Sequence, residues 1–471
     1  MLDLRSYLDS VPEAVYRPGR PVSTVHEVTA LQQALGERSR YPIIHIEAPL
    51  LAGGGTAGMS VVTNLNASRE LTARAVGIDD HRFAGAAYAG RTGSGIEPVV
   101  VGPGDAPVRE VVAEGKEVDL TALPALVQHE LDPGPYLTAA HATTRDPDSG
   151  IDNTAIQRCW IKGKRRMSHM AYATSHNARN IAKYWAKGEP CPVAYWIGHH
   201  PAILLGAQAK LDYPQSHWSA AGGLAGEPVR LVPSVTHGET ILVPADAEIV
   251  IEGWLPADKL EADGPFGEYT GYMGPQVPAP VCEVACITHR RKAIYHDYAA
   301  HLADALVPDN FGHEGRLYGL AIGAAPSLRT LYIPVSGRRF HCYLQFDKPG
   351  PGEVRDALMA VLSYRRLKAA FAFDSDIDIF DPEEVNWAMA TRVQWGRDSF
   401  TVPGLSVSML DPSLPAGART ATRLGVDATL PPPGSADAPP PTPPRARLPE
   451  AVLARTREAL RDVDDTGWPR A

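Results

Sequence analysis

Two carboxylate residues, Asp263 and Glu268, lie five positions apart in the segment DGPFGEYTGY. Two glycines and a proline separate them, so the segment cannot form a regular helix and is typical of a sharp turn. Such a turn can bring both carboxylates to one point, where they could carry acid–base chemistry. The alternative is that they belong to a salt-bridge cluster on the protein surface.

Further polar residues occur upstream of this turn. Asn153 and Arg158 share the segment GIDNTAIQRCW, His176 lies in TSHNARN, and His217 lies in SHWSAAGGLAGEP. Each is a weak signal alone, because a single histidine is more often a hydrogen-bonded structural residue than a ligand. Asn153 and Arg158 are an odd number of positions apart and would face opposite sides of an ideal strand. Either the chain bends between them or they act at different parts of one ligand.

The surrounding sequence predicts a strand-rich middle between two mixed regions. Residues 1–110 alternate helical and strand-like patterns, including a helix that begins after Ser68. Residues 135–300 form mostly strands joined by tight turns, with one helix that ends near Gly188. Within them, TTRDPDSGIDN and IKGKRRM are predicted hairpin connections, and VCEVACITHRRKAIYHDY is predicted to form a further pair of strands.

From about residue 320 the pattern becomes strand, strand, helix, strand, helix. The first of these helices has one apolar face, formed by Val354, Ala357, Leu358, Val361 and Leu362. A proline-rich linker (429–447) follows and leads to a C-terminal helix and tail (448–471).

Composition limits the class of protein. A chain of 471 residues predicts two or three domains, and its formal net charge of -9 argues against a nucleic-acid partner. No stretch resembles a signal peptide or a membrane span, so we expect a cytoplasmic protein without a membrane partner. Five cysteines without a CxxC pair predict neither disulfides nor a zinc ribbon, and Cys282 and Cys286 are expected to be buried.

Two other motifs resemble binding sites but are incomplete. LAGGGTAGM lacks the GK[ST] ending of a phosphate-binding loop and is predicted to be a plain loop. DSDIDIFDPEEV resembles a calcium loop, but Ile379 replaces the required glycine and Val385 the required glutamate.

Taken together, these segments resemble the UbiD family of decarboxylases, which use prenylated flavin mononucleotide (prFMN). AEIVIEGWLPADKLEADGPFGEYTGY is similar to the long family signature, NTAIQR to its cofactor-binding strand, and ITHRRKAIYH to the strands that follow. The resemblance runs from about residue 1 to the proline-rich linker. It implies a mixed α/β (α+β) fold of three parts: an N-terminal α/β region (1–115), a central split β-barrel of the flavin-reductase type (116–315), and a C-terminal α/β dimerisation domain (316–428).

The resemblance also implies roles for individual residues. Arg158, Asp263 and Glu268 would form the catalytic network. Arg158 would bind the substrate carboxylate and pair with an ionised Asp263, while Glu268 would hold the proton that replaces CO2. Asp263 departs from the family's usual glutamate and reaches one methylene less far. The prFMN site would consist of Asn153, Thr154, Ala155, Ile156, Gln157, Arg158, Ser175, His176 and His217.

In the family, Asn153, His176 and a glutamate would bind a divalent metal, usually Mn2+, which holds the cofactor phosphate beside K+. In this chain, His217 occupies the glutamate position. This ligand set of one amide oxygen and two imidazole nitrogens carries one negative charge fewer than the family's set. The sequence therefore does not decide whether the site binds Mn2+ or Mg2+, or whether it is occupied.

The prediction is a prFMN-dependent, non-oxidative decarboxylase of an α,β-unsaturated or aromatic carboxylic acid. The implied steps are formation of a cofactor–substrate adduct, loss of CO2 and protonation by Glu268. The segment AAHLADALVPDNFGHEG (299–315) is the expected wall of the substrate pocket, and its difference from ubiquinone-pathway members favours specialised biosynthesis. A flavin prenyltransferase would supply the cofactor, and a homodimer or higher homo-oligomer is expected. The alternatives are an FMN-binding oxidoreductase with the same split barrel and a non-catalytic cofactor-binding subunit.

Overall fold

A computed structural model of the chain describes residues 2–415, 417–431 and 444–461. By its internal contacts the chain divides into Met1–Ala428 and Thr429–Ala471. The first unit contains all the sheets given below, and the second contains the helix Glu450–Ala459. Residues 432–443 of the predicted proline-rich linker and 462–471 of the predicted tail lie outside the described residues.

The centre of the first unit is a ten-stranded antiparallel sheet, which curls into a half barrel. Its middle strand, Cys191–Ile197, is buried along its whole length, as expected for a segment rich in β-branched and aromatic residues. This arrangement confirms the predicted fold class. In spatial order the strands are Asp152–Ile156, His141–Arg145, Cys191–Ile197, Ile249–Leu255, Val277–His289, Arg166–Ser168, Cys159–Gly163 and Tyr136–Leu137, with Leu260–Asp263 and Val111–Glu114 also paired to Val277–His289.

The predicted hairpins are present in this sheet, but one predicted strand pair is wrong. Val277–His289 remains in the central sheet, whereas Ile294–His296 pairs in parallel with Ser60–Thr63. The reason is that both edges at the end of Val277–His289 are occupied, by Ile249–Leu255 and by Val111–Glu114. The shorter strand therefore completes a separate sheet.

Four smaller sheets complete the N-terminal and central parts of the chain. A four-stranded sheet contains Val15–Tyr16, Ile43–Ile46, Ser60–Thr63 and Ile294–His296, and a three-stranded sheet contains Val99–Val100, Arg230–Ser234 and Gly238–Pro244. The two-stranded sheets are Val22–Ser23 with Pro49–Leu50, and Phe266–Gly267 with Met273–Gly274.

The C-terminal part of the first unit is a five-stranded sheet with its own apolar core. The predicted apolar face of helix Glu353–Leu362 is confirmed, since the same five residues are buried. The two final strands were not predicted. In spatial order the strands are Leu328–Tyr332, His341–Phe346, Ala369–Asp374, Thr420–Asp427 and Ser399–Ser406.

A 22-residue helix, Ala303–Ala324, is the longest in the described residues and runs through the predicted domain boundary at 315/316. None of the described helices is both long and apolar enough to span a membrane. All five cysteines are free and buried, as predicted for Cys282 and Cys286. The other helices of the first unit are Leu4–Ser10, Glu27–Gly36, Arg69–Ala75, Ala84–Ser94, His176–Ala186, Pro201–Gly206, His217–Ala225, Glu353–Leu362, Pro382–Arg392 and Trp395–Asp398.

Candidate active site

Asn153 and Arg158 reach the same cavity because the strand ends between them. Asn153 lies within strand Asp152–Ile156, and the next strand begins only at Cys159, so Arg158 belongs to the irregular connection. Leaving the strand frees the side chain from strict alternation. Both residues line one cavity of about 510 Å³.

The turn between the two predicted acids depends on glycine. Asp263 ends strand Leu260–Asp263, and Gly264 then takes a φ of +88°, which disfavours other residues. A Cβ on Gly264 would lie 2.9 Å from the carbonyl oxygen of Pro275, and one on Gly267 would lie 2.3 Å from Cε1 of His129. The turn therefore packs tightly enough to exclude side chains at both positions.

The turn places Asp263 and Glu268 on either side of the Arg158 guanidinium. Arg158 Nε and Nη2 both lie 2.8 Å from Asp263 Oδ2, and Arg158 Nη1 donates to Glu268 Oε1. The other oxygen of Asp263 accepts from the Ser168 hydroxyl at 2.6 Å. The guanidinium also lies over the ring of Phe266, 5.1 Å from its centroid. The arrangement holds Arg158 in one orientation.

Glu268 is the acid that faces the cavity, whereas Asp263 is fully buried behind Arg158. Burial raises the pKa of the Glu268 carboxyl, although Arg158 and the Tyr172 hydroxyl at 3.4 Å act in the opposite direction. Burial alone would lower the pKa of Arg158, but the charges of Asp263 and Glu268 raise it. Glu268 can therefore carry a proton beside a permanently charged guanidinium.

The two predicted histidine ligands begin two different helices. Ser175 caps the helix His176–Ala186, and Ser216 caps the helix His217–Ala225. Asp152 accepts from the backbone N–H of His217 at 2.8 Å and thereby fixes the start of the second helix. Both histidines line the cavity that contains Asn153.

The chemistry of this part of the cavity suits a metal ligand set. Asn153 Nδ2 and His217 Nδ1 are buried without a hydrogen-bond partner among the described residues. Burial lowers the pKa of His217 to about 3, which keeps its imidazole neutral, the form that binds metal. No group of three or more His, Cys, Asp or Glu residues is arranged for a metal in the described part of the chain. A site here would therefore need Asn153 as a ligand.

Most of the predicted site residues line this single cavity. Asp263 is not a lining residue and reaches the cavity only through Arg158. The predicted wall segment 299–315 contributes Ala300, Ala305, Asp309 and His313. The predicted cofactor and catalytic residues that line it are Asn153, Thr154, Ala155, Ile156, Gln157, Arg158, Ser175, His176, His217 and Glu268.

Sequence reasoning missed several polar residues of the site. Asp309 and His313 fall within the predicted wall segment, and their spacing of four positions on the helix Ala303–Ala324 could have singled them out. The residues that were missed have no local pattern that links them, since Ser168 ends the strand Arg166–Ser168 and the rest come from separate loops. These residues are Ser168, Tyr172, Lys210, Arg339 and Arg366.

Three family models match consecutive parts of the chain. The Rift-related domain of 3-octaprenyl-4-hydroxybenzoate carboxy-lyase matches residues 99–301, its C-terminal domain matches 310–428, and its N-terminal domain matches 16–86. The chain belongs to the UbiD family. It is a carboxy-lyase of that family.

Individual UbiD-family proteins are similar over most of the chain. Anhydromevalonate phosphate decarboxylase from Methanosarcina mazei is 29% identical over 415 residues, which cover 87% of this chain and 91% of the relative. The Methanothermobacter thermautotrophicus enzyme of the same name is 32% identical over 324 residues, covering 66% of this chain and 73% of the relative.

Solved structures of UbiD-class enzymes have the same fold. HmfF from Pelotomaculum thermopropionicum in complex with FMN is 33% identical, with a TM-score of 0.88 over 96% of this chain and 99% of that one. An evolved dimeric form of HmfF in complex with prFMN is 30% identical, with a TM-score of 0.84 over 96% and 98% of the two chains.

Proposed function

We propose that this UbiD-family protein is a prFMN-dependent, non-oxidative decarboxylase of an α,β-unsaturated or aromatic carboxylic acid. The observation that carries the proposal is the Arg158 guanidinium between Asp263 and Glu268 at the wall of the cavity. A fixed cation beside an acid of raised pKa is what a decarboxylase needs to bind a carboxylate and then return a proton.

The cavity offers suitable residues for the cofactor. HmfF structures contain FMN or prFMN, and this chain has the same fold. The backbone and side chains of residues 153–158 would hold the flavin, and Asn153, His176 and His217 would bind Mn2+ or Mg2+ at its phosphate, with K+ beside it. Asn153 Nδ2 and His217 Nδ1, which lack a hydrogen-bond partner among the described residues, support this use. When bound, prFMN supplies the electron sink that stabilises the negative charge left by CO2.

The chain's own residues then have separate tasks. Arg158 orients the substrate carboxylate through Nη1, the nitrogen that donates to Glu268 in the structure. Asp263, which accepts from the Ser168 hydroxyl, holds the opposite side of the guanidinium, and neither Asp263 nor Ser168 lines the cavity. Glu268 delivers the proton after CO2 has left. In the presence of high CO2 the same groups would serve the reverse carboxylation.

Each of the two alternative functions leaves a feature of this site unexplained. An FMN-binding oxidoreductase has no need for an arginine fixed by two buried carboxylates. A non-catalytic cofactor-binding subunit has no need for an acid of raised pKa that faces the cavity. A flavin prenyltransferase would supply prFMN, and a homo-oligomer would agree with the dimeric form of HmfF. A cytoplasmic location and a role in specialised biosynthesis complete the proposal.

The test begins with protein produced together with a flavin prenyltransferase, whose flavin is identified by absorbance and mass spectrometry. Wild type and Glu268→Gln are then compared for CO2 release from a panel of aromatic and α,β-unsaturated acids. We expect both proteins to contain prFMN and the variant to lose about 100-fold or more of the turnover. Glu283→Gln, an exposed carboxylate paired with Lys259, is the matched control. Ordinary FMN in active wild type, or full activity of Glu268→Gln, would contradict the proposal.

A further inference from the structure

The cavity has an unbalanced set of charges. Six lysine or arginine residues line it, but only three aspartate or glutamate residues do, and this excess favours an anionic ligand. The cations are Arg158, Lys210, Arg316, Arg339, Arg365 and Arg366, and the acids are Asp212, Glu268 and Asp309.

Two of the three acids in the cavity each already form an ion pair with one cation. Glu268 pairs with Arg158, and Asp212 pairs with Arg316 at 3.0 Å. The remaining acid, Asp309, must serve the rest of the cations in the cavity. The imbalance is therefore concentrated around this one carboxylate.

Asp309 lies at the centre of a group that we call the Asp309 cluster. Lys210, His313 and Arg339 contact its carboxylate, and Arg366 is near enough that, against the opposite effect of burial, the Asp309 charge raises its pKa. Lys210 Nζ lies 2.6 Å from Asp309 Oδ1, while Arg339 Nη1 lies 2.8 Å and His313 Nε2 3.1 Å from Oδ2. Burial alone would raise the pKa of Asp309, but Arg339, Lys210 and His313 hold it well below its ordinary value. One negative charge thus neutralises at least two positive charges.

Among the described residues, Arg366 has no carboxylate in contact with it and lies only within range of the Asp309 charge. Its partly buried side chain lines the cavity, and within residues 2–415, 417–431 and 444–461 it forms neither a hydrogen bond nor an ion pair. Arg339 is 8% exposed, and its buried Nε has no acceptor within the described ranges of the chain. A guanidinium removed from water needs an acceptor, because desolvation of its charge is costly. Arg366 and Arg339 are therefore ready to bind an anion.

Arg339, a member of the Asp309 cluster, lies near the turn that carries Glu268. The Arg339 guanidinium lies 4.7 Å from the ring centroid of Tyr269, the residue after Glu268. Arg339 thus belongs to the end where the substrate carboxylate would bind Arg158.

We propose that Arg366 and Arg339 form a subsite for a second anionic group of the substrate, a phosphate or a carboxylate. This inference rests on the proposed function, in which Arg158 binds the carboxylate that is lost. The proposed substrates are accordingly unsaturated acids that carry a second anionic group at the end of the molecule opposite the carboxylate that is lost. A cofactor phosphate has the same chemistry, so the experiment separates the two sources.

The test uses prFMN-loaded protein and three matched acids: hex-2-enoate, hex-2-enedioate and 6-phosphooxyhex-2-enoate. Wild type should prefer the two acids with a second anion. Arg366→Gln should lower that preference in kcat/KM by about 10- to 100-fold, mainly through KM, and Arg366→Lys should recover part of it. Arg329→Gln, an exposed arginine outside the cavity, is the control and should behave as wild type. Flavin content should be the same in all four proteins.

Two outcomes would overturn the subsite. One is a loss of flavin from Arg366→Gln, measured as weaker binding of FMN but not of riboflavin, with an unchanged substrate preference; Arg366 would then serve the cofactor. The other is equal kcat/KM of wild type for all three acids. If no acid is turned over, calorimetry with adipate and hexanoate still decides. Tighter adipate binding by wild type but not by Arg366→Gln supports the subsite although the proposed activity fails, and equal binding contradicts it.

Discussion

Arg158 binds Asp263 through two nitrogens that converge on a single oxygen, since Nε and Nη2 both lie 2.8 Å from Oδ2. The other oxygen of this carboxylate, Oδ1, accepts from the Ser168 hydroxyl. The guanidinium is therefore held along one side, and its Nη1 remains for Glu268 or for a substrate carboxylate. This division of the arginine between a buried anchor and the cavity explains why one acid can be structural and the other reactive.

The pH dependence of turnover should report the protonation of Glu268. Burial raises the pKa of this carboxyl above its ordinary value of 4.5. A proton donor works only while protonated, so we expect kcat to fall as the pH rises through the raised pKa. Measurement of kcat between pH 5 and 9 should show this limb in wild type and not in the residual activity of Glu268→Gln. A wild-type kcat that is constant over this range would exclude Glu268 as the donor.

Removal of the Ser168 hydroxyl should weaken the site without touching the cavity. Ser168 donates to Asp263 Oδ1 at 2.6 Å and accepts from the Trp160 N–H at 2.8 Å, and it is fully buried. We expect Ser168→Ala to lower kcat/KM about 10-fold and the free energy of unfolding by about 1–2 kcal/mol. Ser168→Thr should recover activity because it keeps the hydroxyl.

The control for this prediction is Ser363→Ala, an exposed serine whose hydroxyl donates to the Ala360 carbonyl. Kinetics and thermal unfolding of the three variants would distinguish positioning from general stability. If Ser168→Ala and Ser168→Thr lose the same activity, the hydroxyl has no role in positioning Asp263.

Alanine at position 267 should displace the turn that carries Glu268. The added Cβ would lie 2.3 Å from Cε1 of His129, whose ring is held by His301 at 2.9 Å. We expect Gly267→Ala to lose at least about tenfold in kcat, because a small misplacement of an acid is costly. The double variant Gly267→Ala/His129→Ala should recover part of that loss, since it removes the obstacle.

A glycine in open space is the matched control for this substitution. Gly319, in the helix Ala303–Ala324, has no atom within 4 Å of an added Cβ, so Gly319→Ala should keep full activity and gain up to about 1 kcal/mol in stability. Full activity of Gly267→Ala would show that the contact with His129 does not fix the acid.

Metal content should depend on the residue at position 217. His217 lines the cavity with Asn153 and His176, and its Nδ1 has no hydrogen-bond partner in the part of the chain that the structure describes. We expect His217→Ala to bind Mn2+ about 10- to 100-fold more weakly than wild type, and His217→Glu, which adds a hard anionic ligand, to bind it more tightly. His237→Gln, a buried histidine outside this cavity, is the control. Elemental analysis showing equal Mn2+ in wild type and His217→Ala would remove His217 from the ligand set.

The sequence by itself determined the local structure and which segments of the chain contribute residues to the site. The buried face of helix Glu353–Leu362 follows from apolar residues at helical spacing, and the hairpin of Asp152–Ile156 from its turn residues. The resemblance to UbiD proteins placed Arg158 and Glu268 in one network, and the structure brings them into contact. Each of these features depends on neighbours in sequence or on a long motif.

Only the tertiary structure decided which distant residues meet. Ile294–His296 joins a strand from the N-terminal part of the chain because its expected partner has no free edge. The strand that contains Asn153 ends at Ile156, before Arg158, and both side chains can therefore reach the cavity. Arg366, Arg339 and Lys210 come from separate loops, and packing alone brings them to one carboxylate or one cavity wall. No periodic pattern records such a meeting, because it depends on how separate sheets and helices bury their apolar faces against one another.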